Sequence, residues 1–274
     1  MLSADAVAAY HRTGYHFPLD ILTPAEAAAA RARLEAIEAA QGGPLKAAMR
    51  HKPHLVFPWL NELIRHPRIL NAAADVLGPD LLCWSTTFFI KEAADRGFVS
   101  WHQDATYWGL SAPEVTTIWL ALTPATRANG CMKFVAGTHT QQIGHRDTFD
   151  PDNLLTRGQE LEVAVNEDEA VLVELAPGQA SLHHVMLFHG SEPNRSGDRR
   201  IGLAIRYIPT HLRQIAGERD SATLVAGEDR YRHFDHEPAP VRDFDPDGLA
   251  LHAAITERQR RVLYRGTDRT SFRD

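Results

Sequence analysis

From residue 81 onward the chain is written in two-residue alternation, and that period admits few folds. Over 81–91, Leu82, Trp84, Thr86, Phe88 and Ile90 fall on one side and Ser85, Thr87, Phe89 and Lys91 on the other, more polar side, because successive strand side chains leave opposite faces. Residues 115–122 repeat the arrangement, with Thr116, Ile118, Leu120 and Leu122 opposing Val115, Thr117, Trp119 and Ala121. Further strand-like runs at 131–135, 161–165, 170–175, 179–188 and 200–208 are separated by Gly, Pro, Asn and Asp, with no helical pattern between them. Short strands in series with turn signals predict an antiparallel sandwich or barrel.

Ahead of that region the pattern is helical. Residues 4–13 read as an amphipathic helix and 14–18 as a brief strand. Thr23 can cap a helix, Pro24 suits its first position and Glu26 completes a capping box, after which an alanine-rich run carrying Leu34 and Ile37 stops at Gly42-Gly43-Pro44. Residues 46–58, with His51, Lys52 and His54, show no period and read as a loop that approaches the site. Residues 60–77 are helical in pattern, restarted at Pro67 and ended by Gly78-Pro79. Residues 211–247 are polar and irregular, with Pro238, Pro240 and Pro246, and read as a long loop, either a lid or a solvated excursion. A helical pattern returns at 249–264.

Composition narrows the function classes. With 44% hydrophobic and 23% charged residues the chain can bury an ordinary globular core. A formal charge of −6 argues against a nucleic-acid partner, which needs a concentrated basic face. Cys83 and Cys131 lie in apolar runs and are expected to be reduced core residues of a cytosolic protein. No run approaches the roughly 18 apolar residues of a membrane span, and residues 1–10 lack the basic start and apolar length of a signal peptide. The expectation is a soluble, cytoplasmic protein with no membrane partner; nothing in the chain speaks to its oligomeric state.

Within the alternating region stands Trp101-His102-Gln103-Asp104. On a strand, residues i and i+2 share a face, so His102 and Asp104 can grip one metal ion. His189, in Phe188-His189-Gly190-Ser191, offers a third ligand. Two histidines and a carboxylate with open positions is the arrangement of non-haem Fe(II) oxygenases. The His-x-Asp triplet recurs at His145/Asp147 and His233/Asp235, in a polar loop and a Pro-rich segment, and both read as solvated surface. The first triplet alone is flanked by Tyr107-Trp108, an aromatic wall suited to a cleft. His183 and His184 read as hydrogen-bonded strand histidines, His183 sharing parity with His189 along one strand. Arg200 heads a strand face of Gly202, Ala204 and Arg206, opposite the apolar Ile201, Leu203, Ile205 and Tyr207. Small residues on the first face leave room for a ligand, and a guanidinium there suits a carboxylate; taken alone, Arg200 beside Arg199 would read as a surface cation.

In order and spacing, His102-Gln103-Asp104, Ile118-Trp119-Leu120-Ala121-Leu122, Asn129-Gly130-Cys131, Gly137-Thr138-His139 and His189-Gly190-Ser191…Asn194…Arg200 resemble the phytanoyl-CoA dioxygenase family of Fe(II)/2-oxoglutarate oxygenases, over about residues 10–207. The resemblance implies one dioxygenase domain, mainly β with flanking helices: a double-stranded β-helix (jelly-roll, cupin-like) core over 81–210, N-terminal helices over 1–80 packed outside it, and a loop and C-terminal helix over 211–274. It implies that His102, Asp104 and His189 hold Fe(II), that Arg200 pairs with the distal carboxylate of 2-oxoglutarate and Ser191 hydrogen-bonds to it, and that Thr87 and Trp119 line the cosubstrate pocket, with Lys52 or a neighbour reaching it. Gly137-Thr138-His139 departs from the family's Gly-Ser-His, a change expected to be structural.

The implied reaction consumes O2 and 2-oxoglutarate, releases succinate and CO2, and hydroxylates an unactivated C–H bond of a small metabolite. The retained Asp104 favours hydroxylation over halogenation, for which related enzymes carry a small residue there. Tyr107, Trp108, Phe89, Lys91 and Arg206 are candidates for the substrate pocket, the two cations hinting at an anionic group. Two other readings remain: a Zn(II) enzyme acting on bound water, which leaves Arg200 and Ser191 without a carboxylate, and a 2-oxoglutarate-binding module without turnover, which the complete ligand set disfavours.

Overall fold

Caps and apolar spacing place helices where the N-terminal sequence predicts them. In the computed structural model, which describes residues 1–269, helix α1 (Ala4–Thr13) leads through strand β1 (Tyr15–Asp20) to α2 (Pro24–Ala40), α3 (Ala47–Arg50), α4 (Pro58–Leu63) and α5 (Pro67–Leu77). The capping box of α2 is formed: the Glu26 N–H donates to the Thr23 hydroxyl at 3.2 Å, and the Thr23 N–H donates to the Glu26 carboxylate at 2.7 Å. Then come β2 (Leu81–Lys91), β3 (Val99–His102), β4 (Thr116–Ala121), β5 (Met132–Val135), β6 (His145–Asp147), β7 (Gln159–Leu161), β8 (Ala170–Val173), β9 (Gln179–His184), β10 (Phe188–Ser191), β11 (Arg200–Pro209), β12 (Ser221–Ala226) and β13 (Asp235–His236), and the chain closes with α6 (Pro246–Leu263).

These strands build a jelly roll. A seven-stranded sheet in the order β1-β9-β4-β11-β2-β12-β13 packs on a four-stranded sheet in the order β3-β10-β5-β8, with β6 and β7 paired beside them. Alternation assigns the two faces of the large sheet. Ile118, Leu120, Ile201, Leu203 and Ile205 turn outward and join Leu34, Leu60, Ile64 and Ile69 of the helices in one buried cluster. Each such side chain contributes about 1.5–3 kcal/mol on burial. Trp119, Ala121 and Ala204 turn inward and meet Met132, Phe134 and Val173 of the small sheet.

Four details depart from the expected pattern. The run 179–188 is two strands in different sheets: a turn in which the Leu187 N–H donates to the His184 carbonyl at 2.9 Å separates β9 from β10. His183 and His189 therefore do not share a strand. In β2 the register with β11 slips at Trp84, since Arg206 faces Ser85 but Tyr207 faces Cys83. This bulge reverses the faces beyond it, sending Leu82 and Trp84 inward to Val115 and Ile208, and Leu81 and Cys83 outward to the helices. The strand expected at 161–165 is β7, at 159–161, and the loop expected at 46–58 contains α3 and a 3₁₀ turn at Pro53–Leu55.

A fifth departure is residues 211–247, which are not uniformly irregular. β12 adds to the large sheet beside β2, and Glu237 beyond it is fully buried. The Glu237 carboxylate pairs with Lys52, accepts from the Ser221 and Thr223 hydroxyls at 2.8 and 2.7 Å, and lies 3.2 Å from His54 Nε2. Burial alone would raise its pKa, but the Lys52 charge and the His54 hydrogen bond outweigh that and hold the carboxyl below its usual range. Lys52 is committed to this knot and does not reach the cosubstrate pocket expected of it.

Removing one partner of a buried ion pair strands the other charge, so Glu237→Gln is expected to lower the unfolding free energy by about 3–5 kcal/mol. Lys52→Met combined with Glu237→Gln should recover part of that loss in chemical denaturation. Additive losses in the double variant would show that the two groups do not act as a pair.

Candidate metal centre

The small sheet supplies two of the three candidate ligands. β3 and β10 run antiparallel with His102 directly opposite His189, and the ring centroids are 4.0 Å apart. β3 ends at His102, so Asp104 is not on the strand. It opens a 3₁₀ turn whose first N–H donates to the Val185 carbonyl at 2.9 Å. Ligand atoms of His102, Asp104 and His189 lie within 4.8 Å of one another, all buried, and among the described residues this is the one such group. The His102 ring Nδ1 lies 2.9 Å from the Ser100 carbonyl and the His189 Nδ1 2.9 Å from the Leu187 carbonyl. Each Nδ1–H is thereby occupied and each Nε2 lone pair is left for a metal. Burial would raise the Asp104 pKa, but neighbouring His102 and the charge of Arg206 outweigh it and hold the carboxyl below its usual range. Burial, with His102 beside it, keeps His189 neutral. Two imidazoles that present Nε2 and one carboxylate fit a divalent transition metal.

Gln103, between two of the ligands, braces the turn. Its side chain donates to the carbonyls of Gln141 and Met186 at 2.8 and 2.7 Å and accepts from the Ile143 N–H at 2.8 Å. Its own N–H donates to His145 Nε2 at 2.9 Å, and His145 Nδ1 lies 2.9 Å from the Ile143 carbonyl. This corrects the surface reading of the second triplet. His145 is half-buried on β6, and Asp147 accepts from the Tyr107 hydroxyl at 2.8 Å while pairing with Arg157. The third triplet is at the surface as expected, with Asp235 exposed and 2.8 Å from Arg219.

An inner cavity reaches from the metal group to Arg200, its wall including Thr117, Trp119, His183, Ser191 and Ala204. Arg200 is buried, lies over the Trp119 ring at 5.3 Å and donates to the Gly130 carbonyl, while its Nε has no hydrogen-bond partner. The ring can lie there because residue 202 is glycine: a Cβ would stand 1.8 Å from Trp119 Cζ2. Burial draws the Arg200 guanidinium down to about 10. Beside it, Lys91 donates to the Ser191 hydroxyl at 2.7 Å, and burial together with Arg200 draws that ammonium down to about 6. Among the described residues no carboxylate pairs with either cation. An uncompensated buried guanidinium is costly, and a carboxylate from outside would complete it. Lys91, expected in the substrate pocket, is on the wall of neither cavity.

Beyond the metal group an outer cleft opens between Trp84, Phe89 and Trp108 on one side and Leu155, Gln259 and Leu263 on the other. Arg206 lines both spaces. It donates to the Thr87 hydroxyl at 2.8 Å, lies over Trp108 at 4.9 Å and places Nε 3.9 Å from the Asp104 carboxylate. Thr87 thus lines the outer cleft and not the inner cavity, and Tyr107 turns away to stack with Arg157 at 4.1 Å. Sequence reasoning did not find His183 on the inner wall, 5.0 Å ring to ring from His189, because it treated β9 and β10 as one strand. Nor did it find α6 on the cleft, since nothing local to a helix says what it covers.

A profile of the phytanoyl-CoA dioxygenase family (PhyH) matches residues 10–202. The chain belongs to this family. A solved family-like structure described as "non-heme monooxygenase; ThoJ apo" shares 37% identity with it at a TM-score of 0.84, covering 94% of this chain and 97% of that one. Another, described as "CytC3 with Fe(II) and alpha-ketoglutarate", shares 26% at a TM-score of 0.65 over 89% of this chain and 96% of that one. A Stutzerimonas stutzeri protein described as "Probable alpha-ketoglutarate-dependent hypophosphite dioxygenase" is 29% identical over 60% of this chain and 58% of its own length. The chain spans about half the length of the curated relatives it matches. The CytC3 structure is described with Fe(II) and 2-oxoglutarate, and the donor set and the uncompensated cation of this chain fit both.

His145→Phe removes the acceptor of the Gln103 N–H. Loss of an outer partner of a metal ligand loop is expected to weaken metal binding about 10–100-fold. Anaerobic titration with Fe(II) or Ni(II) measures this, and unaltered affinity would return His145 to the status of a surface residue.

Proposed function

We propose that the protein is an Fe(II)/2-oxoglutarate-dependent dioxygenase that hydroxylates a C–H bond of a small anionic metabolite, with release of succinate and CO2. The observation that carries this reading is Arg200: a buried guanidinium without an acid, across a cavity from two imidazoles and one carboxylate. In this reading His102 and His189 bind the metal through Nε2, and Asp104 through its carboxylate. Arg200 and Ser191 take the distal carboxylate of 2-oxoglutarate, Trp119 forms the wall beside them, and Thr87 acts through Arg206. When bound, iron and 2-oxoglutarate supply the activation of O2 needed to oxidise a C–H bond.

The chain's own part is placement and exclusion. Trp84, Phe89 and Trp108 keep the cleft floor apolar and limit water near the reacting carbon. Arg206 and Arg50 stand on that wall, and Asp104, already taken by the metal, is the one acid facing them there. An anionic group docks at the guanidinium of Arg206 and turns the rest of the substrate towards the metal. The Stutzerimonas relative is described as acting on hypophosphite, itself an anion. Retention of Asp104 supports hydroxylation over halogenation. A Zn(II) enzyme acting on water would leave Arg200 uncompensated. The chain is read as one catalytic unit, since among the described residues the N-terminal helices share a core with the large sheet and α6 walls the cleft. Buried, unpaired Cys83 and Cys131 support a cytoplasmic setting.

The test is succinate release across a panel of acidic and neutral metabolites. Release is expected to need Fe(II) and 2-oxoglutarate together and to vanish in His102→Ala, Asp104→Ala and His189→Ala. Arg200→Ala should raise the KM for 2-oxoglutarate about 10–100-fold, the worth of a charge-assisted contact. Arg206→Gln should weaken stimulation by acidic metabolites more than stimulation by neutral ones. Turnover that survives Asp104→Ala would overturn the proposal.

A further inference from the structure

The inner cavity holds two polar groups that the metal and Arg200 leave unexplained. Thr117 on β4 and His183 on β9 are direct partners across the ladder, each 1% exposed, and both lie on the cavity wall. The Thr117 hydroxyl and His183 Nδ1 have no hydrogen-bond partner. Buried polar atoms are rarely left unpaired, and a neighbouring pair on one cavity wall marks a surface made for a polar occupant. The site of the imidazole would accept an aromatic ring, since Phe134 lies 5.1 Å from it. Packing alone therefore does not call for histidine. Nor does the metal, because His183 is outside the group whose ligand atoms lie within 4.8 Å of one another.

We infer that Thr117 and His183 form a second cosubstrate contact, hydrogen-bonding the 2-oxo group of 2-oxoglutarate while Arg200 holds the distal carboxylate. This rests on the cosubstrate reading proposed above. Position supports the division of labour. Thr117 is level with Arg206 on β11, six residues along the strand from Arg200, and His183 packs 5.0 Å from the ring of the metal-site residue His189. Arg200 runs back along its strand to lie over Trp119, the next inward residue of β4 after Thr117. A molecule with an acid at one end and a 2-oxo group near the other meets a cation at the first and neutral hydrogen-bonding groups at the second. His183 and Thr117 are positioning residues here, not metal ligands.

The experiment is anaerobic calorimetry of the full chain loaded with Ni(II), titrated with 2-oxoglutarate and with glutarate, which lacks the 2-oxo group. Thr117→Val and His183→Phe are each expected to weaken 2-oxoglutarate binding about tenfold, leaving glutarate and Ni(II) affinities unchanged. Thr117→Ser, which keeps the hydroxyl, should bind as the parent does. Equal loss of both diacids, or a fall in Ni(II) affinity, would make the pair structural and overturn the inference. Parent-like 2-oxoglutarate binding in both variants would also overturn it, while leaving the proposed function intact. If the unaltered protein, with Ni(II) bound, takes up no 2-oxoglutarate, the proposed function itself fails.

Discussion

The pairing of β3 with β10, which sets His102 opposite His189, is the constraint the molecule is arranged around. Two histidines 87 residues apart in sequence meet because the small sheet holds their strands in that register. Asp104 joins them from the turn that follows, held by Gln103 and by the Val185 carbonyl. Arg200 and Trp119 come from the large sheet, so the candidate site spans both layers of the jelly roll. The residues that pack the layers together, Trp119 and Phe134 among them, also fix the side chains of the site. Fold and site are in this sense one packing problem, which is how rigid elements hold a first set of ligands to a narrow geometry.

The wall of the inner cavity carries two buried guanidiniums, Arg200 and Arg206, and one acid. Arg200, Lys91 and Arg206 are all buried, and the carboxylate that faces the last of them is Asp104. Keeping such groups dry works against stability, and here the cost falls on a pair of well-packed sheets able to carry it. What results is a chamber already shaped and charged for anions before any arrives. Glu237, buried elsewhere, is fully partnered and serves a different end: it ties residues beyond β12 to the N-terminal segment around Lys52 and His54. That tie explains why the stretch after β11 is a fixed part of the sheet edge.

Most of the frame was legible because it is written in local periods. The two faces of β4 and β11, the cap of α2 and the inward placement of Trp119, Ala204 and Arg206 all follow from alternation or capping chemistry. What was not legible depends on contacts distant in sequence or on a break in the period. The bulge at Trp84 reverses a face without any residue type announcing it. The turn at 185–187 carries no Gly or Pro, so β9 and β10 read as one strand and His183 was assigned no role. His145 and Lys52 were misjudged for the same reason in opposite directions. Each has a partner, Gln103 and Glu237, that chain distance conceals.

The central claim is that two imidazoles and one carboxylate share a metal whose open side accepts 2-oxoglutarate. X-ray absorption of the Fe(II)-loaded protein, recorded anaerobically before and after 2-oxoglutarate is added, tests it most directly. The account predicts scattering from two imidazoles that persists throughout, with light-atom ligands exchanged when the cosubstrate enters. Iron without imidazole scattering, or a coordination shell indifferent to 2-oxoglutarate, would contradict it.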